Sequence, residues 1–408
     1  MTVVLTGPEL RRPSAPRRHR LELSAIAAAS VVSVVTLLLL VQPFDPDSAC
    51  CDHLFYRAQA VEWLGLNVPG ALEVPPRSGL ADAYTNFFYE PVNGLAGQPP
   101  HIYRIFTPFI TGVVGLVLPI NAAFYWVNAV SLLVLSAASA WAVFHVTRLL
   151  IPALATSVLA VWLPSLGPPF AKNYMLVDST AIALIAVVVL LVVKRQWLPA
   201  LLISVVIAPL TRENLVTLAL FVALAAHFFG VRKWWYWPLA ALPALIVLMV
   251  RLAIPVVAPA PTSILFTYED PYQSVQGLFI AFGAVIPLLL GIFHRSVRSW
   301  FVASLPVLLL LLILNTSVVA REPRLWLTYW PFLLIFGMAG LMATRVLAVR
   351  GTWLLLLAVS LGVGIVAADG WVPQWWIAGP AVASIVFASS LTVAENMRSV
   401  PQKERDLV

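Results

Sequence analysis

The chain has 408 residues, 61% of them hydrophobic and 11% charged, with a mean hydropathy of +0.92. Soluble domains carry about 25% charged residues, so this composition excludes a soluble globular fold and requires a polytopic helical membrane protein. The net charge of +7 comes from basic residues scattered at the ends of apolar runs, which is the footprint of membrane orientation and not of a nucleic-acid patch.

Residues 1–20 hold Arg11, Arg12, Arg17, Arg18 and Arg20 among Pro8, Pro13 and Pro16. This predicts a disordered basic tail held at the cytoplasmic face. Leu23 to Val41 is the first span. It exceeds the about 7–15 residues of a signal-peptide core, and no small-residue cleavage site follows in Gln42-Pro43-Phe44-Asp45. It is therefore expected to remain and to place residues 43–104 outside the cytoplasm. In that interval Asp52, Tyr56 and Ala60 recur every four residues, within an amphipathic stretch at 52–66, so on a helix they share one face. A Pro/Gly-rich middle follows, then the aromatics Tyr84, Phe87, Phe88 and Tyr89, suited to the headgroup zone, then Gln98-Pro99-Pro100-His101-Ile102-Tyr103-Arg104. Cys50 and Cys51 are adjacent, which excludes a disulfide framework and leaves free thiols or a strained vicinal bridge, the thiols being the plainer reading. Asp45 and Asp47 read as turn residues, with a divalent-cation pair as the alternative. The histidines show no zinc spacing.

Apolar segments follow near 105–120, 122–146, 150–168, 174–193, 197–210, 214–229, 234–253, 276–293, 300–318, 325–344, 353–368 and 371–393, making 13 with the first. Several fall short of the about 20 residues a bilayer asks for, so half-spans and broken helices are expected. The fold class is all-α, with about 11–13 hydrophobic helices and a long first extracytoplasmic loop bearing amphipathic helices. Lys194/Arg195, Arg232/Lys233, Arg295/Arg298, Arg345/Arg350 and Arg398/Lys403 mark every second boundary as cytoplasmic. Asp178, Arg212-Glu213, Glu269-Asp270, Arg321-Glu322-Pro323-Arg324 and Asp369 then lie outside with Asp52. To return the tail at 395–408 to the cytoplasm, one segment between 105 and 170 must not cross. The short stretch 105–120, bounded by Pro119, is the expected one.

Ionisable groups at membrane depth cost about 2.5–3.5 kcal/mol each on insertion scales, so each is a functional candidate. Arg212-Glu213-Asn214 interrupts the apolar run from Leu198 to Phe229 without a Gly/Pro turn, which favours a site over a plain hairpin bend. Arg321 and Arg324 flank one carboxylate and leave net positive charge, suited to bidentate capture of phosphate oxygens, unless the loop is simply solvated. Arg104 opens an apolar segment on the outer side, where a phosphate partner would account for a cation. Asp52, flanked by His53 and Arg57, is the candidate general base; the alternative is a helix N-terminal Asp serving the helix dipole.

Asp52, Tyr56 and Ala60, followed by Pro99, Pro100, Tyr103, Arg104 and Pro108 at the entry to the next segment, resemble the GT-C superfamily of integral membrane glycosyltransferases. Asp178 and the Leu-Thr-Arg-Glu at 210–213 resemble further features of it. The resemblance covers roughly residues 20–230. It implies a transmembrane module at 21–230 including the outer loop 43–104; the additional helices at 231–394 and the cytoplasmic tail at 395–408 rest on hydropathy and the basic boundaries alone. It implies transfer of a sugar from a polyprenyl phosphate or diphosphate carrier to an acceptor on the extracytoplasmic face. By the resemblance Asp52 would be catalytic; by their charge Arg104, Arg212, Arg321 and Arg324 would bind the donor phosphate, with Tyr56, Arg57, Tyr103, Asp178 and Glu213 in support. No metal ligands are assigned, although a divalent cation is compatible with the chemistry. The partners are the lipid-linked donor, the bilayer, and a glycan, lipid or protein acceptor, with no nucleic acid. The excess of Arg over Lys, with abundant Ala and Val, points to a GC-rich bacterium and its plasma membrane and cell envelope, the N-terminus being cytoplasmic. The competing readings are a lipid-carrier flippase or transporter, for which repeated halves are expected and not seen, and a non-catalytic membrane scaffold.

Overall fold

The computed structural model describes residues 16–43, 52–62, 104–253, 281–282, 285, 287–314 and 326–343, with four further positions between 355 and 362. Every regular element among them is helical, and the chain is an all-α polytopic membrane protein. The order is α1 (Pro16–Leu40), α2 (Asp52–Glu62), α3 (Phe106–Gly115), α4 (Ile120–Thr147), α5 (Leu150–Trp162), α6 (Gly167–Lys172), α7 (Asp178–Val193), α8 (Trp197–Leu202), α9 (Ala208–Thr211), α10 (Leu218–Phe228), α11 (Tyr236–Ala253), α12 (Pro287–Ile292), α13 (Arg298–Leu314) and α14 (Trp330–Ala343). Among the described residues, His19–Leu40, Ile120–Thr147, Tyr236–Ala253 and Trp326–Ala343 are long and apolar enough to cross a membrane.

A helix apolar on all sides must be enclosed. α14 is buried on every side from Trp330 to Met342 and forms the centre of the bundle, against α4, α5, α7 and α12. Burying a tryptophan requires a partner for its indole N–H. Trp330 donates to the Ala160 carbonyl at 3.2 Å, and Trp162 to the Ser33 carbonyl at 3.3 Å, tying α14 to α5 and α5 to α1. α11 exposes Leu245, Leu248, Met249 and Leu252 and lies at the lipid-facing edge. Where α12 crosses α14, Gly291, Gly337 and Gly340 meet backbone to backbone with no room for a Cβ. Gly340→Val should therefore cost at least the about 1–3 kcal/mol of overpacking, seen as a lower thermal midpoint of the detergent-solubilised protein; an unchanged midpoint would refute this crossing.

Two expected segments end early. The stretch expected as one span at 150–168 stops at Trp162. The residue before a proline is driven out of the helical region, and Leu163, ahead of Pro164, is extended at φ −60° and ψ 125°. The chain then turns through α6 and a buried stretch, Tyr174 to Val177, to reach α7. α3 has 10 residues and is about 15 Å long, half the about 30 Å of a bilayer core, so it does not cross by itself.

α7 has 16 residues and is about 24 Å long, shorter than the about 30 Å of a bilayer core, with Asp178 at one end and Lys194-Arg195 just past the other. The legs Trp197–Thr211 and Glu213–Phe228 are similarly short, and the break between them lies beside the start of α7, where Arg212 meets Asp178.

Candidate functional site

α2 carries the predicted four-residue repeat. Tyr56 and Ala60 are both fully buried, and with Val61 they pack against Ile120, Phe124 and Tyr174 to Val177. The shared face is thus the docking face, and it docks beside the start of α7. Asp52 opens α2, one helical turn before Tyr56.

The second component is a broken helix. Proline lacks an N–H and its ring presses on the carbonyl four residues back. Ahead of Pro209 the backbone widens into a π-turn, Ile203–Ile207, and then tightens through α9. Arg212 is fully extended at φ −160° and ψ 133°, and a 3-10 turn, Glu213–Thr217, leads into α10. An extended residue at such a break lets two successive side chains diverge, and here they reach different partners. Arg212 Nη1 donates to Asp178 Oδ1 at the first turn of α7. Glu213 Oε2 accepts from Arg104 Nε at 3.3 Å, while Arg104 Nη1 donates to the Tyr56 hydroxyl at 2.6 Å. Two polar groups, Tyr56–Arg104–Glu213 and Arg212–Asp178, therefore leave the break side by side, linked through the Arg212–Glu213 backbone, and join α2, the entry to α3, the break and α7.

The Arg212–Asp178 pair is buried, and the Arg104–Glu213 pair is half-buried. Asp178 is 2% exposed and Arg212 6%, and in a low-dielectric setting such a pair persists only because each ion has its counterpart. The two cations and two carboxylates of these pairs sum to zero. Around the break, several buried polar atoms lack a hydrogen-bond partner among the described residues: Glu213 Oε1, Asn214 Oδ1, Thr217 Oγ1 and the indole nitrogen of Trp326. Buried polar atoms are nearly always satisfied, so this cluster calls for polar partners that the described residues do not supply.

Of the predicted residues, the structure brings together Tyr56, Arg104, Asp178, Arg212 and Glu213. Arg57 is half-buried beside Tyr56, and its Nε has no hydrogen-bond partner among the described residues. Tyr103, Arg321 and Arg324 lie outside the described residues, as do Asp45, Asp47, Cys50 and Cys51. Asn214 was noted only as part of the triplet Arg212-Glu213-Asn214, with no role of its own, and Thr328 was not singled out; Asn214 Nδ2 donates to Thr328 Oγ1 at 3.2 Å and ties the break to the start of the central helix. Thr328 is an ordinary hydroxyl in an apolar run. No three His, Cys, Asp or Glu side chains gather into a metal site among the described residues.

Beside the network, α3, α4 and α7 enclose an apolar groove of about 380 Å³, lined by Phe106, Ile110, Trp126, Val130, Val134 and Leu184 among others. It starts two residues beyond Arg104 and two beyond Asp178, at Phe106 and Thr180. Trp126 and Val130 on its rim are 55% and 54% exposed, so it opens sideways toward lipid. Within it, the Thr180 and Ser131 hydroxyls bond each other at 3.0 Å. No protein-family model, curated protein or solved structure matches the chain.

Proposed function

We propose that the chain is a glycosyltransferase of the GT-C type, moving a sugar from a polyprenyl phosphate or diphosphate carrier to an acceptor on the extracytoplasmic face of a bacterial plasma membrane. The observation that carries this reading is the pair of adjoining polar groups, Tyr56–Arg104–Glu213 and Arg212–Asp178, set beside an apolar groove with an exposed rim. An amphiphile whose phosphate reaches these groups keeps its isoprenoid tail in apolar surroundings throughout.

In the reaction, the acceptor hydroxyl oxygen attacks the anomeric carbon and Asp52 takes its proton. The bond from that carbon to the carrier phosphate oxygen breaks with its electron pair, leaving polyprenyl phosphate or diphosphate. A direct displacement inverts the anomeric centre. Arg104, anchored by Glu213 and Tyr56, and Arg212, anchored by Asp178, stabilise charge developing on the leaving phosphate from fixed positions, where preorganised donors act most strongly. Because their carboxylates already balance them, Arg321 and Arg324 supply the net positive charge of the clamp in this reading.

The test is turnover by the purified full chain in proteoliposomes, supplied with radiolabelled polyprenyl-phosphate sugars and envelope acceptors. Label should move to the acceptor in step with release of free carrier. Arg104→Lys keeps the charge but not the fork; losing one charge-assisted hydrogen bond, about 1.5 kcal/mol, should weaken donor binding about tenfold. Movement of intact donor between leaflets with no transfer would replace this reading by the flippase.

A further inference from the structure

The end of the bundle opposite the polar network carries a feature that glycosyl transfer does not use. Three turns meet there. The turn after α7 ends in Lys194 and Arg195, the latter in the left-handed region at φ 59°. The turn between α10 and α11 carries Arg232 and Lys233, and α13 starts at Arg298, shortly after Arg295. Aromatic rings hold the three together. Phe229 stacks on Trp197 at 6.3 Å and lies 4.1 Å from Trp300, and the Arg195 guanidinium sits 5.8 Å from the Phe229 centroid. The Lys233 ammonium lies 5.6 Å from the Trp235 centroid.

These six cations are exposed, and none has a carboxylate partner among the described residues. Arg148, at the end of α4, extends the same positive field. Glu22, on α1, is the one described carboxylate at this end. Cations of one sign gathered at one end of a bundle attract anions. The neighbouring exposed side chains identify the depth at which the anion comes. Trp234 is 78% exposed, with Trp237 and Phe228 also open, and exposed tryptophans at a helix end sit at headgroup level.

We propose that these three turns form a discrete site for the phosphodiester headgroup of an acidic glycerophospholipid, with Trp197, Phe229 and Trp300 as its floor and Lys194, Arg195, Arg232, Lys233 and Arg298 as its rim. The phosphate stabilises the approach of the turns by neutralising their mutual repulsion, while acyl chains run along exposed α11. The inference is independent of the glycosyl-transfer reading.

The full chain is reconstituted in vesicles of equal phosphatidylglycerol and phosphatidylcholine, extracted in mild detergent, and its retained lipid quantified by mass spectrometry. Phosphatidylglycerol should be enriched at least about fivefold, the factor one surface cation contributes. Arg232→Gln with Lys233→Gln, confined to an exposed turn, should reduce enrichment at least about fivefold, and adding Lys194→Gln with Arg195→Gln should abolish it. Arg232→Lys with Lys233→Arg, which keeps both charges, should retain it. Equal recovery of the two lipids by the unsubstituted chain, or enrichment unmoved by the neutral substitutions, would overturn the proposal. A misfolded quadruple variant leaves the double variant to decide.

Discussion

Asp52→Asn should lower sugar transfer by about 10²–10⁴-fold, the usual worth of general base catalysis, while donor binding stays near its original value. The substitution keeps size and shape but removes basicity, and the lost interaction belongs to the transition state. Asp52 stands at the start of α2, one turn before Tyr56, and Tyr56 is bonded to Arg104 at 2.6 Å. The helix that begins at Asp52 is thus tied to Arg104 by a buried side chain. Asp45→Asn and Asp47→Asn should leave turnover within a few-fold, as expected of turn residues. The measurement is the steady-state rate in proteoliposomes alongside equilibrium donor binding. An active Asp52→Asn protein beside an inactive Asp47→Asn one would transfer the role to the other carboxylate.

The second large effect concerns the Asp178–Arg212 pair. Removing one partner of a buried ion pair strands the other charge, at about 3–5 kcal/mol. Asp178→Leu and Arg212→Met should each destabilise the protein by about that much. The double variant should regain most of the loss, because an apolar pair fills the space without a stranded charge. Its transfer activity should not return, because Arg212 is gone. Unfolding midpoints in detergent for the four proteins close the cycle. Additive losses would mean that the two side chains do not act as a pair, and an active double variant would remove Arg212 from the clamp.

Some of this architecture was legible before any coordinates, for physical reasons. The composition alone demanded a helical membrane bundle. The four-residue spacing of Tyr56 and Ala60 anticipated the face by which α2 docks, because helical register follows directly from spacing. Arg212-Glu213 stood out because charge inside an apolar run is expensive. What the chain did not disclose was pairing. That Arg212 meets Asp178 and Glu213 meets Arg104 depends on how α7 and the broken helix stack, which is a matter of tertiary packing. The π-turn before Pro209 was hidden because a proline predicts a disturbance but not its form. The early end of α5 was signalled by Pro164 and masked by the hydrophobic run continuing through it. Thr328 carried no signal at all.

The most direct measurement uses a polyprenyl phosphate bearing a photoactivatable group on its first isoprene unit, irradiated with the purified protein and mapped by mass spectrometry. If the two polar groups and the groove beside them hold the carrier, adducts fall on Phe106, Ile110, Trp126 and Val130, and an excess of unlabelled sugar-bearing carrier removes them. Adducts confined to the lipid-facing side of α11, or undiminished by the competitor, would contradict the placement of the donor at these polar groups and with it the central claim.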